Sequence, residues 1–506
     1  MSSGTVLPFG WTQLTIGAVS TIITGNTPPT SNRDLYGGTI PFVGPSDLCN
    51  QILTTQKNTL SQLARSVARI VPPNSVLVSC IGLLGKCALT SVETALNQQL
   101  NAVIFVVDVD PKFGFYQCQT LRPYLEGNAS ATTVPIVNKK KFSQAPFRVA
   151  PLNEQRRIVA KIDELFSDLD AGVAALERVQ ANLKRYRAAV LKSAVEGKLT
   201  AQWRKKNKPA ETGEQLLARI LKEHRKKWED DQLAKFAAAG KSPPKGWQAK
   251  YKEPTPPDTT NLPKLPEGWC WASVEQVGQV QLGRQRSPKN RSDRYPTKYL
   301  RAANLTESGL DLSDLLEMEF LPKELETYRL EVGDILLSEA SGSPDQVGKP
   351  VVWRGEINDC CFQNTVIRLQ PINIETDFAL TVFRHYYRSK LFARVSAGVG
   401  INHLSAAKFS AIPFPLPPID EEIRIATEVE AMLSFITKVE LLSHSSSRRT
   451  ASLRQAILKH AFEGKLVPQD PADEPVDIQG NGPAQGGGAP ESNSTGSTTR
   501  GRSRRA

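Results

Sequence analysis

The chain has little of what marks secreted, zinc-binding or membrane proteins. Its seven cysteines stand at 49, 80, 87, 118, 270, 360 and 361 without a C-x-x-C pair, and its five histidines are scattered. This spacing favours reduced thiols and argues against a disulfide framework or a zinc site. No apolar run approaches the ~20 residues that span a bilayer. The opening MSSGTVLPFGW also lacks the basic and apolar regions of a secretory signal, so we expect a cytoplasmic protein.

The short motifs of common catalytic sites are missing too. The string GLLGK at Gly82 to Lys86 has the wrong spacing for a phosphate-binding loop, and no G-x-S-x-G or H-E-x-x-H string occurs. The chain has no acidic-Pro-Pro-aromatic or Asn-Pro-Pro-aromatic tetrapeptide, which orients the amine in amino-methyltransferases. We therefore expect no catalytic residue, metal or cofactor in this chain. Scattered carboxylates leave a self-contained nuclease or other DNA-modifying enzyme as a weaker alternative.

The charge is strongly positive, +12 over 506 residues, and basic proteins favour polyanions. Residues 479–506 are rich in Gly, Ser and Thr and hold four Arg and one Glu, so about +9 remains without them. The densest basic stretch, RQRSPKNRSDRYPTKYLR at Arg284 to Arg301, has seven cations and one acid. Its Asn, Ser, Gln and Tyr suit contacts with phosphates and base edges. A solvated loop is the alternative.

A long repeat organises the chain. LKSAVEGKLT at Leu191 to Thr200 and LKHAFEGKLV at Leu458 to Val467 share seven of ten positions at an offset of 267 residues. KFSQAPF and KFSAIPF keep the same offset, whereas the earlier pair PFGW and PEGW is offset by 258. Weaker echoes between these anchors are NAVI beside NTVI, and two Gly-Lys steps. The period is too long for a solenoid, so the chain is a duplicated pair of domains.

The better-matched part of each copy is predicted to be a long helix. Apolar residues recur every three or four positions from Ile158 to Val190, which is the seam of a coiled coil. Asn153 or its neighbour can cap the start, and Gly197 fits the left-handed end. The second copy repeats the seam, but HSSSRRT at His444 to Thr450 is polar, so we expect a frayed or kinked centre there. Two such helices related by a pseudo-twofold axis must run antiparallel.

The divergent parts mix short β-rich runs, such as VLVSCI and DILLSEA, with helical patches. They predict α+β domains with Gly- and Pro-rich loops. The fold class is therefore α+β, with two globular domains of similar fold separated by two long antiparallel helices. The expected boundaries are 1–150 and 263–417 for the globular domains, 151–200 and 418–468 for the helices, 201–262 for a charged helical linker, and 469–506 for a disordered tail.

Taken together, these strings resemble the specificity subunits of type I restriction-modification systems. The resemblance rests on PFGW and PEGW, IPFVGPSDL and KYLRAANL, SCIGLLGK and SEASGSPDQVGK, NQQLNAV and CFQNTVI, PLNEQRRIV and PIDEEIRIA, and the two EGKL ends. Each string alone is weak, but their order in duplicate is specific. The resemblance implies two target-recognition domains that each read half of a gapped DNA site.

The resemblance also implies the partners. Such proteins bind two adenine methyltransferase subunits and motor-nuclease (restriction) subunits, to which S-adenosylmethionine, ATP and Mg²⁺ belong. The residues then expected to meet the methyltransferase are Leu191, Ala194, Leu199, Leu458, Ala461 and Leu466, although plain coiled-coil packing explains them equally well. The residues favoured for DNA binding are Arg284, Arg286, Lys289, Arg291, Arg301 and Asn304 in the second head and Asn26, Asn32, Arg33, Ser46, Lys139 and Lys140 in the first. A two-headed scaffold that binds proteins rather than DNA is the other alternative.

Overall fold

The computed structural model describes residues 7–54, 56–130, 133–285, 296–339, 346–396 and 403–477. The chain forms two compact units. Unit 1 is drawn from Met1–Leu176 and Ser445–Ala506, and unit 2 from Glu177–His444. Each unit consists of a head of small β-sheets and short helices, packed on parts of two long helices, and this confirms the predicted α+β class.

Within its described residues, the head of unit 1 contains three β-sheets. Its strands are β1 (Thr12–Thr15), β2 (Ser20–Thr24), β3 (Tyr36–Val43), β4 (Gln51–Leu53), β5 (Thr59–Leu60), β6 (Ile70–Val71), β7 (Val76–Ser79), β8 (Cys87–Thr90), β9 (Thr94–Leu96), β10 (Leu100–Phe105) and β11 (Pro146–Val149). The sheet orders are β2-β10-β7-β8-β4, β5-β3-β9-β6 and β1-β11. All residues of β7 and β8 are buried, which fits their largely apolar sequences VLVS and CALT.

Four helices follow in chain order: α1 (Pro111–Cys118), α2 (Arg122–Asn128), α3 (Lys139–Ser143) and the long α4 (Leu152–Val195). The core of unit 1 lies where α1 meets the two long helices. Phe113 of α1 packs edge-on against Trp11, with ring centroids 6.4 Å apart, and against Phe462, 5.2 Å away. Ile158 of α4 joins the same buried cluster. The first head is therefore completed by residues from the far end of the sequence.

Unit 2 continues with further helices and strands. The helices are α5 (Ala201–Lys206), α6 (Gly213–Ala238), α7 (Val274–Val277), α8 (Pro322–Tyr328), α9 (Thr376–Arg388), α10 (Leu391–Ser396), α11 (Ala406–Ser410) and the long α12 (Ile419–Phe462). The strands are β12 (Cys270–Ser273), β13 (Gly278–Leu282), β14 (Pro296–Leu300), β15 (Leu305–Thr306), β16 (Gly309–Leu310), β17 (Leu316–Glu319), β18 (Ile335–Ser338), β19 (Pro350–Val352), β20 (Cys361–Phe362), β21 (Val366–Pro371) and β22 (Pro413–Leu416). They pair as β13-β21-β18-β19, β17-β14-β20, β12-β22 and β15-β16.

The two heads share one arrangement of strands. β2 pairs with β10 as β13 pairs with β21, and the hairpin β7-β8 corresponds to β18-β19. The Gly-Lys steps are equivalent, because Gly85 and Gly348 both adopt φ +77 and donate to the carbonyls of Ser79 and Ser338. The similar strings NAVI and NTVI do not occupy equivalent positions in the two heads. Thr24 and Leu282 are matched residues, and their strand partners are Asn101 and Ile367, an offset of 266 rather than 263.

The two long helices, 44 residues each, pack together and run antiparallel. In unit 2, Gln180 of α4 donates to Ser443 at 3.0 Å, and Arg187 donates to Glu440 at 2.9 Å. The residue numbers of the partners on α12 therefore decrease as those on α4 increase, as they must in an antiparallel pair. In unit 1, Arg454 pairs with Asp170, and its guanidinium lies 4.6 Å from the ring centroid of Phe166.

The predicted kink in the second helix is wrong, because α12 is one continuous helix through His444 to Thr450. Its polar side chains there are mostly exposed, and the buried Ser443 accepts a hydrogen bond from Gln180 in place of an apolar contact. Asn153 lies inside the first turn of α4, which begins at Leu152. No helix of the described chain is long and apolar enough to cross a bilayer.

Candidate nucleic-acid interface

Each head is fastened to the start of a long helix by the same buried pair. The indole of Trp11 donates to Glu154 Oε2 at 3.0 Å in unit 1, and that of Trp269 donates to Glu421 Oε2 at 2.9 Å in unit 2. Both glutamates are 1% exposed. Burial raises the pKa of Glu154, and the bond from Trp11 opposes this. The repeated strings PFGW/PEGW and PLNEQ/PIDEE are therefore the two halves of one joint.

The next residue of each helix holds the first turn of a head helix. Gln155 Oε1 accepts from the backbone of Asp110 at 2.8 Å, and Glu422 Oε2 accepts from the backbone of Glu375 at 2.6 Å. Asp110 and Glu375 are the N-cap residues of α1 and α9. The side chains of these matched positions thus fix how a head sits on its own helix.

The EGKL strings end the two helices in the same way. Gly197 and Gly464 have φ +65 and +68, which confirms the left-handed end predicted for Gly197. A Cβ on Gly197 would lie 2.6 Å from Pro266 Cγ, and one on Gly464 would lie 2.2 Å from Pro8 Cγ. Each helix end therefore lies under the proline of a PFGW or PEGW loop, and this explains why the strings occur in pairs.

The residues predicted to meet a methyltransferase lie inside the units. Leu191 and Ala194 belong to the core of unit 2, and Leu458 and Ala461 to that of unit 1, each at most 1% exposed. Leu199 and Leu466 are partly buried against the same two cores. Their contacts favour the packing explanation, and their role in partner binding stays a prediction.

The predicted DNA-binding residues of the first head fall into two sets. Arg33, Ser46, Lys139 and Lys140 are exposed, the first two in short 3₁₀ turns and the lysines on α3. Asn32 is exposed but accepts from the backbone of Asp34 at 3.1 Å. Asn26 bridges its own head, since it donates to the carbonyl of Val67 at 2.7 Å and accepts from the backbone of Arg69 at 2.7 Å.

In the second head, the described candidates make internal contacts. Arg284, 8% exposed, donates to Glu324 at 2.8 Å and to the carbonyl of Glu319 at 2.7 Å. Asn304, 2% exposed, donates to the carbonyls of Asp311 and Asp314 at 2.9 and 3.1 Å. Arg301 pairs with Asp314. Arg286, Lys289 and Arg291 lie outside the described residues.

Asn26 and Arg284 occupy equivalent places in the two heads. Their backbone amides donate to the carbonyls of Leu96 and Phe362, directly after Gly25 and Gly283. Both side chains then brace their own head, so the geometry favours a structural role for them. Lys57 and Arg69 are further exposed cations of the first head that were not among the predicted residues, and Arg69 donates to the carbonyl of Thr24 at 2.5 Å. Neither lies in a dense run of basic residues, so the sequence gives little local signal for them.

The comparisons with known proteins place this architecture in one class. The family model described as "Type I restriction modification DNA specificity domain" matches residues 8–178 and 266–444, one match for each head and the first part of the long helix that follows it. The chain therefore belongs to the family of type I restriction-modification DNA specificity proteins. It is the DNA specificity subunit of such a system, and that subunit is the non-catalytic one.

Relatives match over nearly the whole length. The chain is 23% identical over 493 residues to the StySPI specificity subunit of Salmonella potsdam, covering 94% of each chain. It is 22% identical over 507 residues to the EcoKI specificity subunit of Escherichia coli K12, covering 96% of this chain and 95% of the relative.

Two solved structures have the same fold. One comes from a study of complex assembly and conformational transition of the type I R-M system, with TM-score 0.63, 17% identity and coverage of 91% of this chain and 99% of that one. The other is the HsdS subunit from Thermoanaerobacter tengcongensis, with TM-score 0.53, 18% identity and coverage of 92% and 100%.

Proposed function

We propose that each head reads one half of a bipartite, gapped DNA site. The observation that supports this most is the duplicated joint, in which Trp11 and Glu154 are repeated as Trp269 and Glu421 with nearly equal hydrogen bonds. Two heads held by the same joint but differing in their surface loops suit the reading of two different half-sites. The long helices then set how many unread base pairs lie between them.

The experiment exchanges one head. Residues 12–140 are replaced by the corresponding head of another specificity subunit, and the methylated consensus is determined with the partner subunits present. One half of the consensus should change while the other half and the gap stay the same. The reciprocal control replaces residues 270–410 and should change the other half only. Altered bases in both halves after a single exchange would refute independent reading.

The exposed cations of the first head are the proposed phosphate contacts. Arg33, Lys139 and Lys140 are exposed, and Arg33 makes no side-chain hydrogen bond or ion pair with another described residue. Arg286, Lys289 and Arg291 stay in the proposal for the second head on the charge of their sequence alone. Contacts of this kind position the protein on DNA, whereas base-edge contacts give specificity.

The partners in this proposal are double-stranded DNA, two methyltransferase subunits and the motor-nuclease subunits. S-adenosylmethionine, ATP and Mg²⁺ would be bound by those subunits, and the complex would work in the cytoplasm. A face of α12 supports a protein interface, because Phe435, Leu441 and Leu442 are 64%, 66% and 60% exposed. Large apolar side chains exposed in a group mark interaction sites.

Serine at positions 435 and 442 tests that face. The double variant Phe435→Ser/Leu442→Ser should bind the methyltransferase subunit at least about tenfold more weakly, a loss of ~1.4 kcal/mol. Its melting temperature should change little, because the two side chains are exposed. Analytical ultracentrifugation of the mixed subunits gives the affinity. Undiminished assembly of the variant would move the interface elsewhere.

A further inference from the structure

Unit 2 contains a basic cavity that DNA reading and the joint leave unused. Its volume is about 380 Å³, and it lies between the head helix α9, the loops before β16 and β19, and the two long helices. Its charged lining residues are Arg187, Glu307, Lys349, Arg384, Arg388 and Glu440. Four cations face two acids, so the lining carries a net charge of +2.

The acids neutralise only two of these cations. Arg388 pairs with Glu307 at 2.7 Å, and Arg187 with Glu440 at 2.9 Å. Lys349 donates to the carbonyl of Leu305 at 3.1 Å, which leaves its charge unbalanced. Arg384 is half-buried, and its guanidinium makes no hydrogen bond or ion pair with any residue that the structure describes. The buried Nε of Arg187 also has no partner.

An unpartnered guanidinium among other cations is costly without an anion. Burial lowers the pKa of Arg384; Asp377 opposes this shift, and Arg388, Arg187 and Arg354 reinforce it. The walls beside these cations include Leu191, Leu433 and Tyr387. Such a site would suit an anion with an apolar or aromatic body.

The first unit provides the comparison. Trp11–Phe113 and Trp269–Phe378 are matched ring pairs, 6.4 and 6.3 Å apart, so α1 and α9 are equivalent helices offset by 265 residues. The position equivalent to Arg384 is therefore Gln119, whose buried Nε2 also has no partner and also lines a cavity. The second copy thus carries a positive charge where the first carries a neutral amide.

We propose that the cavity of unit 2 binds a small phosphate monoester, with Arg384 and Lys349 as its main ligands. A phosphate monoester carries about −1.5 to −2 charges at pH 7 and so balances the lining. A carboxylate, with one charge, would leave it unbalanced. Guanidinium groups bind phosphate oxygens through two parallel hydrogen bonds. The phosphodiesters of DNA carry one charge each and lie on a duplex surface rather than in a cavity.

The test is calorimetric titration of the full chain with inorganic phosphate and with AMP, in chloride buffer of constant ionic strength. Both ligands should bind saturably, and Arg384→Gln, which copies the first unit, should weaken both at least about tenfold. The matched control is Arg424→Gln, an exposed arginine of the same unit paired with Glu428, which should bind as the wild type does. Arg384→Gln should be at least as thermally stable as the wild type, because it removes an unpaired cation.

If Arg384→Gln does not fold, Lys349→Gln serves as the second variant, with the same loss of binding expected. A short DNA duplex is titrated in competition. Equal affinities of wild type and variants, absence of saturable binding up to about 10 mM ligand, or displacement of phosphate by the duplex would each overturn the proposal. The last outcome would make the cavity a contact for the DNA backbone instead.

Discussion

Glu422 occupies the place that Gln155 holds in the first unit, and of the two side chains only that of Gln155 carries an NH2 donor group. Gln155 Nε2 donates to the carbonyls of Asp108 and Ala150 at 2.9 and 2.8 Å. Glu422 Oε1 is buried without a hydrogen-bond partner. Burial raises the pKa of Glu422 well above its ordinary value. A proton held on this carboxyl makes it resemble the amide of the first unit.

This resemblance predicts a pH-dependent stability. The unfolded chain releases the proton above about pH 4.3, the ordinary pKa of glutamic acid, whereas the folded chain keeps it to a higher pH because burial raises the pKa of Glu422. The wild type therefore loses stability as the pH rises from that value through the raised pKa of the folded state. Glu422→Gln should melt at a higher temperature than the wild type at pH 7.5, and the difference should vanish near pH 4.

The converse change is the control. Gln155→Glu places a carboxyl against two carbonyl oxygens, so it should lower the melting temperature at pH 7.5 and less so at pH 5. Scanning calorimetry at both pH values measures the two variants. A Glu422→Gln protein whose melting temperature parallels that of the wild type across pH would show that Glu422 is ionised when folded.

At the scale of residues, the sequence shows which side chains are cationic or polar but not which of them the fold buries. Arg284 and Asn304 look like DNA contacts, since one lies in the basic stretch and the other close behind it, yet both are buried and bonded within the head. Their partners, Glu324 and the Asp311 carbonyl, are brought to them by the folded loops. A charge count along the chain cannot distinguish a cation that faces solvent from one that braces a turn.

At the scale of elements, helix ends were predictable because their chemistry is local. Gly197 could be identified from its position after the apolar seam, since a left-handed residue there favours glycine. The continuity of α12 could not be identified in this way. The polar stretch is accommodated by surroundings that only the fold supplies, such as Gln180 of the other helix, which donates to Ser443 from 263 positions away.

Alanine at the two EGKL glycines should be strongly destabilising. The left-handed backbone alone costs an L-residue about 1–2 kcal/mol, and the Cβ atoms would lie 2.2 Å from Pro8 Cγ and 2.6 Å from Pro266 Cγ. Gly464→Ala and Gly197→Ala should each lower the melting temperature by several degrees, at ~2–4 °C per kcal/mol.

Gly172 is the matched control for these substitutions. It lies within α4, and a Cβ there would meet no atom within 4 Å. Gly172→Ala should therefore raise the free energy of unfolding by up to about 1 kcal/mol. Equal behaviour of all three variants in thermal melts would contradict the account of the helix ends.

At the scale of the whole molecule, the duplication and the long helices were predictable because repeats and seams persist over many residues. Each helix has 44 residues, or roughly 66 Å at 1.5 Å per residue. The joint between PFGW and PLNEQ was not predictable in this way. Its two strings lie more than a hundred residues apart, and their offsets between copies, 258 and 267, differ.

Lengthening both helices tests whether they set the gap. Four residues inserted near Gly172 and four at the matching Val439 add about one turn, near 6 Å, so each seam stays approximately in phase. The methylated consensus should then gain one or two unread base pairs, at about 3.4 Å per pair, while the bases read in each half stay the same. Some activity should be lost, because the added DNA twist must be absorbed.

The control lengthens only one helix, which should disrupt packing and lower activity without a defined new gap. Methylome sequencing of cells that carry the altered subunit and its partners gives the consensus. A fully active double insertion that retains the original gap would show that the helices do not measure the distance.

Unit 1 needs residues from the end of the sequence to complete its core, so it cannot finish folding until those residues have been synthesised. Leu458 and Phe462 lie in its core, Arg157 pairs with Asp473 at 2.6 Å, and the amide of Val476 donates to Gly10. About 310 residues separate β11 from Phe462, so at about 5–20 residues per second the first head waits roughly 15–60 s for its last core residues. Unit 2 draws on Glu177–His444 alone and is complete before then. Unit 2 can therefore finish folding before unit 1, and a nascent chain that has emerged from the ribosome only as far as His444 would carry one finished unit and one open one.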